Sequence, residues 1–349
     1  MRRTLLVVGI AALAAAQDSG PNKVLQRAKV GGEGRFDYVF ADADGRKLYV
    51  PRTGADIARI SVYDLDSLKL LGEIPKVNAR GVAVDPKTGH GFASSSPVAM
   101  FDTKTLAPIK TIEVQGAPDG ILFDPFNQRV WVFSHRAPNA TIIDTKDGSI
   151  VGTLDLGGAP EQAVTDGKGH MWVDLEDKDS IASVDTKALK VTATYALEGK
   201  GGGPGGLAFD AKNRVLFASC HTPATMVILN ADSGKILETL PIGTGTDGAT
   251  FNPATMEAFS SNGDGTLTVI KEESATKFSV EQNVQTMRGA KTLTLDSKTN
   301  HVLMIAAETQ PAPAPPADAP APKADQKGGG RARTIMVPDS FTIVVVGTK

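Results

Sequence analysis

Short apolar runs recur along the chain, each ending at a small or acidic residue and followed by a turn and a second apolar run. Seven of them are legible: Tyr38-Val39-Phe40-Ala41, Val82-Ala83-Val84-Asp85, Ile121-Leu122-Phe123-Asp124, Ala163-Val164-Thr165-Asp166, Leu207-Ala208-Phe209-Asp210, Ala249-Thr250-Phe251-Asn252 and Leu293-Thr294-Leu295-Asp296. Their last residues lie 44, 39, 42, 44, 42 and 44 positions apart. Strand-length runs returning at this period are the pattern of a β-propeller, with one four-stranded blade per repeat. The pattern therefore predicts an all-β, seven-bladed ring of four-stranded antiparallel blades. Most of the ordered sequence is then accounted for by architecture, and little is left over for chemistry.

Blade three shows the expected order of strands. Gly120-Ile121-Leu122-Phe123 is almost continuously apolar, as an innermost strand covered on both faces should be. Asp124-Pro125-Phe126-Asn127-Gln128 carries turn chemistry. Arg129 to Ser134 reads as the second strand and Ala140 to Asp144 as the third. Thr145-Lys146-Asp147-Gly148 is the hairpin leading to a more polar outer strand, Ser149 to Leu154. The same hairpin returns as Asp64-Leu65-Asp66-Ser67-Leu68, Asp102-Thr103-Lys104-Thr105-Leu106, Asp185-Thr186-Lys187-Ala188-Leu189 and Asn230-Ala231-Asp232-Ser233-Gly234-Lys235. Acidic and hydroxyl side chains returning at one offset are expected to bond the local backbone and form turns, not to carry chemistry.

An apolar run, Asp-Pro, Thr-Gly and a Val-Asp-Thr-Lys-Thr-Leu-like hairpin together resemble the YVTN-type β-propeller repeat family. Val84-Asp85-Pro86-Lys87-Thr88-Gly89 and Phe101-Asp102-Thr103-Lys104-Thr105-Leu106 carry the likeness, which spans residues 24–309 and 338–349. The Trp-Asp pair of WD40 repeats is missing, since both tryptophans, Trp131 and Trp172, are followed by valine. The resemblance implies a secreted or surface propeller and assigns no reaction.

Blade seven has three strands at the C-terminal end, in residues 290–296, 302–306 and 340–347. Its outer strand is expected to be Val24 to Val30, brought back from the N-terminus so that the ring closes without a free edge. Within that blade, the stretch at about 309–338 holds Pro311-Ala312-Pro313-Ala314-Pro315-Pro316 and Lys327-Gly328-Gly329-Gly330-Arg331-Ala332-Arg333. Pro and Gly at this density read as a disordered insertion, partly polyproline.

The first residues change the picture of location. Met1-Arg2-Arg3-Thr4, an apolar stretch from Leu5 to Ala16 and an Ala14-Ala15-Ala16 exit read as a secretory signal peptide over residues 1–16. The apolar stretch falls short of the roughly 20 residues needed to span a bilayer, so no membrane span is expected. Residues 17–349 then form a single propeller domain, periplasmic or extracellular and expected to be monomeric. Removing residues 1–16 takes away two arginines and leaves 35 basic against 39 acidic side chains. That balance, with most aromatics placed inside apolar runs and not set out as base-stacking platforms, argues against nucleic acid as the partner. Cys220 is alone, so no internal disulfide forms.

Candidate chemistry comes from aligning the blades. In a propeller, the loops leading into the innermost strand and those joining the second and third strands surround the upper mouth of the channel. Five residues before each run's end stand Phe36, Arg80, Asp119, Glu161, Gly205, Asp247 and Lys291, with Asp37 where four other blades have glycine. Eleven residues after it stand Arg52, Ser96, His135, Asp177, His221, Gly263 and Ala307. Unlike the hairpins, these columns differ from blade to blade, as an asymmetric binding site requires. Asp37, Arg52, Arg80, Asp119, His135, Glu161, Asp177, His221, Asp247 and Lys291 are therefore the candidate ligand-binding residues of the top face. Asp37, Asp119, Glu161 and Asp247 offer oxygen ligands to a calcium-like ion. Arg80 and Lys291 can neutralise them instead, so ion pairs and trapped water are expected and no cofactor is required. His135 and His221 read as surface histidines, and Gly199-Lys200-Gly201-Gly202-Gly203-Pro204-Gly205-Gly206 as a close-packed connection, because no helix follows it to complete a phosphate loop.

The expectation is a secreted, non-catalytic binding or scaffold module whose ligand, an unidentified protein or small molecule, sits on the top face. The alternatives are a metal-dependent lactonase or lyase using the acidic residues of the mouth and, more remotely, a single-stranded nucleic-acid binder.

Overall fold

A computed structural model describes residues 20–137, 139–312 and 334–348. The expected leader at 1–16 and the central part of the Pro-rich insertion, 313–333, lie outside them. Seven four-stranded antiparallel sheets form the blades of a ring, each ordered from the channel outward in chain order except the last. Blade three comprises Pro118–Asp124, Arg129–Ser134, Ala140–Asp144 and Ile150–Leu154. Blade seven comprises Leu293–Asp296, His301–Ala306, Thr342–Gly347 and, outermost, Lys23–Lys29. The N-terminal strand runs antiparallel to the chain's last strand, pairing Val24 with Val346 and Lys29 with Thr342. The ring is thus closed by hydrogen bonds between the two ends of the chain.

Seven clusters of buried apolar side chains fill the seven interfaces between adjacent blades. Between blades three and four, for example, Trp131, Phe133 and Ile142 pack against Met171, Val173 and Leu175. The second strands are the heart of this packing, and Val215–Cys220 is buried along its whole length. Because each interface is made by neighbouring repeats, the repeat period of the sequence is also the period of its core.

The acidic residue that ends most of the innermost strands has two tasks. One carboxylate oxygen accepts the backbone N–H two residues on: Lys87 for Asp85, Phe126 for Asp124, Lys212 for Asp210 and Lys298 for Asp296. Several of these residues also tie blades together. Asp85 accepts from Thr145 Oγ1 of blade three at 2.6 Å, and Asp296 from Arg46 of blade one at 2.8 Å. The outer hairpins behave as their chemistry predicts, with Asp64, Asp102, Asp185 and Asn230 each accepting the N–H three residues on.

Two connections near the mouth differ in kind. Residues 199–206 pack against the ring: a Cβ on Gly201 would lie 2.5 Å from Cys220 Sγ, and one on Gly206 would lie 2.6 Å from the Ala249 backbone nitrogen. The Pro-rich insertion departs from expectation at both ends, where Thr309–Pro311 and Thr334–Met336 pair as a short antiparallel ribbon. Thr309, Thr334 and Ile335 are β-branched, which favours pairing locally even beside a Pro-rich stretch.

Candidate functional site

Side chains from six blades meet at the upper mouth of the channel. In blades three, four and six the innermost strand begins with an irregular register, between Pro118 and Ile121, Pro160 and Ala163, and Thr246 and Ala249. Bulges of this kind re-aim a side chain away from the sheet face. Here they carry Asp119, Glu161 and Asp247. The glycine after Asp119 is needed for close approach, since a Cβ on Gly120 would lie 2.7 Å from the carbonyl oxygen of Glu161.

Around the mouth the charges alternate. Asp37 accepts a hydrogen bond from Arg80 at 2.7 Å, and Arg80 Nε lies 3.9 Å from Asp119. His135 Nε2 stands between two carboxylates, 3.2 Å from Asp119 Oδ2 and 2.9 Å from Glu161 Oε1. Tyr38 donates its hydroxyl to the other oxygen of Glu161 at 2.8 Å. On the far side Lys291 is ion-paired with Asp247. Thr292 donates to the backbone carbonyl of Asp37 at 2.8 Å, which links blades seven and one behind the ring.

These contacts set the protonation states. Burial, with Glu161 and Asp37 nearby, pushes the Asp119 carboxyl up to about 6, although Arg80 and His135 oppose it. The hydrogen bond to Glu161 raises the His135 imidazole to about 9. Burial also works against the Glu161 carboxylate, but the bonds from His135 and Tyr38 more than offset it and hold the group below its ordinary value. Tyr38 is pushed well above the usual phenol range by burial and by Glu161, so it remains a donor. The mouth therefore sets the acidic side chains of Asp37, Asp119, Glu161 and Asp247 against Arg80, Lys291 and the His135 imidazole.

Directly below, Gln162 lies across the channel. Its Oε1 accepts from the backbone nitrogens of Leu207 at 3.1 Å and Ala249 at 3.0 Å, and its Nε2 donates to the Ala249 carbonyl at 2.9 Å. A cavity of about 160 Å³ continues beneath it, lined by inner-strand residues such as Val39, Ile121 and Leu295. Beside the mouth a groove of about 1010 Å³ runs between the ribbon and the loop before blade one. Arg35, Phe36, Asp37, Arg80, Lys291 and Phe341 line its inner side, so ring and groove share three charged residues.

The structure thus brings together Asp37, Arg80, Asp119, His135, Glu161, Asp247 and Lys291. His135 is a surface histidine, as expected, but its imidazole is tied to two carboxylates. Arg52 lies apart from them. It is buried, its guanidinium lies 3.7 Å from the Phe341 ring centre, and it donates to the Gly31 carbonyl at 3.1 Å and Tyr63 Oη at 3.3 Å. It ends a strand, Lys47–Arg52, and points into the interface between blades seven and one. Asp177 builds its own loop, accepting from Ala159 N at 2.6 Å and pairing with Lys178 at 3.2 Å. His221 lies apart from His135, in a shallow depression with Glu176, Asp179 and Thr222. Tyr38 and Gln162 were missed as site residues, though each breaks its column: blade one's first hairpin closes at Asp42–Lys47, one residue later than the apolar run suggests, so Tyr38, like Gln162, stands where four blades have glycine.

No family model matches the chain, and no curated protein matches it. Among solved structures it is similar to a chain of "Crystal Structure of Mitotic Checkpoint Complex", with a TM-score of 0.68 and 11% identity over 87% of this chain and 96% of that one. At that identity the likeness concerns the fold, a scaffold shared by many unrelated functions.

Proposed function

We propose that this chain is a secreted, monomeric propeller of the YVTN-repeat type that acts as a binding module. Its ligand sits at the channel mouth and reaches into the adjoining groove. One observation carries the reading: in register, equivalent positions of six blades hold charged side chains of both signs around a single opening, whereas the hairpins repeat one chemistry. A uniform ring has no reason to diversify there for folding alone. The groove has the volume of an ordinary small-ligand site. Arg80 and Lys291 stay half exposed despite their ion pairs, so they retain donors for an anionic group of the ligand.

A thermal-shift screen of organic mono- and dicarboxylates, sugar acids and acidic peptides tests this proposal. Compounds that stabilise the wild-type protein should lose their effect on an Arg80→Ser/Lys291→Ser variant. Hydrogen-exchange protection by those compounds should map to residues 33–37, 78–80 and 289–292. Equal stabilisation of both proteins, or protection on the opposite face, would overturn the reading. Release of residues 1–16 on export, read by N-terminal sequencing, tests secretion.

A metal-dependent lactonase or lyase is the second reading, favoured by the His135 imidazole held between two carboxylates. Turnover of a lactone panel by metal-loaded protein, lost in Glu161→Gln, would establish it. Single-stranded nucleic acid finds little support at a mouth where carboxylates outnumber cations.

A further inference from the structure

We propose that Asp119, His135 and Glu161 form a site for one divalent transition-metal ion of the zinc or manganese kind, and not for calcium. The three side chains come from two adjacent blades, and their ligand atoms all lie within 4.8 Å of one another. Metal–ligand bonds of about 2.0–2.2 Å place neighbouring donors roughly 3 to 3.5 Å apart around the ion. The separations from His135 Nε2 to its two carboxylate oxygens, 3.2 and 2.9 Å, are of that size. Donors converge this closely without a metal only when a proton is shared among them, and a metal can take that proton's place.

Three further observations select the kind of ion. An imidazole nitrogen favours zinc, manganese and their neighbours, whereas calcium takes six to eight oxygen ligands. The two carboxylates that calcium would additionally need, Asp37 and Asp247, are occupied by Arg80 and Lys291. With Asp37 and Asp247 paired to Arg80 and Lys291, two acidic side chains, Asp119 and Glu161, remain beside His135 to face one divalent ion. Asp119 Oδ1, closed off from solvent, has no hydrogen-bond partner among the described residues and only a long 3.9 Å contact with Arg80 Nε, so this carboxylate keeps capacity for the ion. Tyr38 acts as a positioning residue: by donating to Glu161 Oε2 it leaves Oε1, the atom beside His135, to face the ion. Such outer partners commonly matter almost as much as the ligands themselves. The inference stands apart from any ligand in the groove, because the ion needs only residues of this chain.

The test uses untagged, chelator-treated protein and titrates zinc, manganese and calcium ions separately by calorimetry. One equivalent of zinc or manganese is expected to bind, with calcium at least about 100-fold weaker. Asp119→Asn and Glu161→Gln should each weaken zinc by at least about 100-fold, Tyr38→Phe by roughly 10-fold, and Asp247→Asn, outside the triad, by less than about 3-fold. Pulsed electron paramagnetic resonance of the manganese-loaded wild type should show coupling to one imidazole nitrogen, a readout that needs no variant to fold. Absence of saturable zinc or manganese binding, calcium binding of equal strength, or no nitrogen coupling overturns the proposal. An Asp247→Asn effect as large as that of Glu161→Gln does the same. None of these results bears on the Arg80/Lys291 screen, so the two readings fail separately.

Discussion

Replacing Gln162 by leucine, a side chain of similar size, removes the bar across the channel without opening a large void. Three hydrogen bonds to blades five and six are lost. Each contributes about 1 kcal/mol net, and a buried polar group left without a partner costs about 1–3 kcal/mol. Leu207 and Ala249 are themselves buried, so their backbone groups have no direct route to solvent. The cavity of about 160 Å³ below can admit water and recover part of the loss. The expected cost for Gln162→Leu is therefore about 3 kcal/mol. Gln162→Ala leaves room for a bridging water and should cost less, about 1–2 kcal/mol. Gln162→Glu keeps the two acceptor bonds but loses the donor and adds a carboxylate next to Glu161, so its cost should grow as pH rises.

Urea unfolding measures the series. With a slope of about 3 kcal/mol/M, the leucine variant should shift the midpoint down by about 1 M. The order leucine, alanine, wild type is as informative as the size, because only a polar crossbar ranks alanine above leucine. A leucine variant within about 0.5 kcal/mol of wild type would refute the reasoning. It would show that the inner strands hold their spacing without a link through the channel.

Arg52→Leu should destabilise the protein by about 2 kcal/mol, the scale of a desolvated cation–π contact, while leaving zinc titration at the mouth unchanged; a selective loss of metal or ligand binding would restore Arg52 to the site. In chelator-treated protein, stability should fall with pH in a way that depends on His135. Its folded pKa, about 9, lies above the ordinary value of 6.5, so its contribution is fully present below about pH 6.5 and lost as pH rises through about 9. Urea midpoints of wild type and His135→Gln between pH 6 and 10 should converge, and parallel curves would contradict the assignment. Cys220 is buried and its thiol is pushed far up by burial, so it should resist iodoacetamide until the protein unfolds; rapid labelling of native protein would show that blades four and five part readily.

The sequence pattern carried almost all of the architecture, because the same physical requirement is imposed seven times. Apolar runs, Asx turns and hairpins each recur, and recurrence separates them from chance. Even the closing strand was legible, displaced by one residue from 24–30 to Lys23–Lys29. The candidate site was legible in position but not in direction. Arg52, His135 and His221 share one offset, yet Arg52 is the last residue of its strand, while His135 and His221 follow strands ending at Ser134 and Cys220. Side chains alternate between faces along a strand, so one residue of difference turns a side chain from the mouth into the interface between blades. Composition could not supply that residue of register. The ribbon at 309–311 and 334–336 was hidden for a related reason: Pro and Gly counts average over a stretch whose ends are β-branched.

A sharper rule comes from asking which residues break their own column, not which residues are charged. Blade one's first hairpin closes at Asp42–Lys47 as blade three's closes at Asp124–Arg129, so in register Asp37 stands at the ring position beside Arg80. In the column after the ring position, four blades have glycine, and the exceptions are Tyr38, Gln162 and Thr292. Tyr38 fixes Glu161, Gln162 spans the channel, and Thr292 holds the Asp37 backbone. Every departure in this column ends on the mouth or on its support. The charged residues of the outer offset include loop-builders such as Asp177 and packing residues such as Arg52. Near the axis a blade has no spare surface, so a residue that departs from the repeat there must be accommodated by its neighbours. Departure at the axis therefore marks the site more reliably than charge does at the rim.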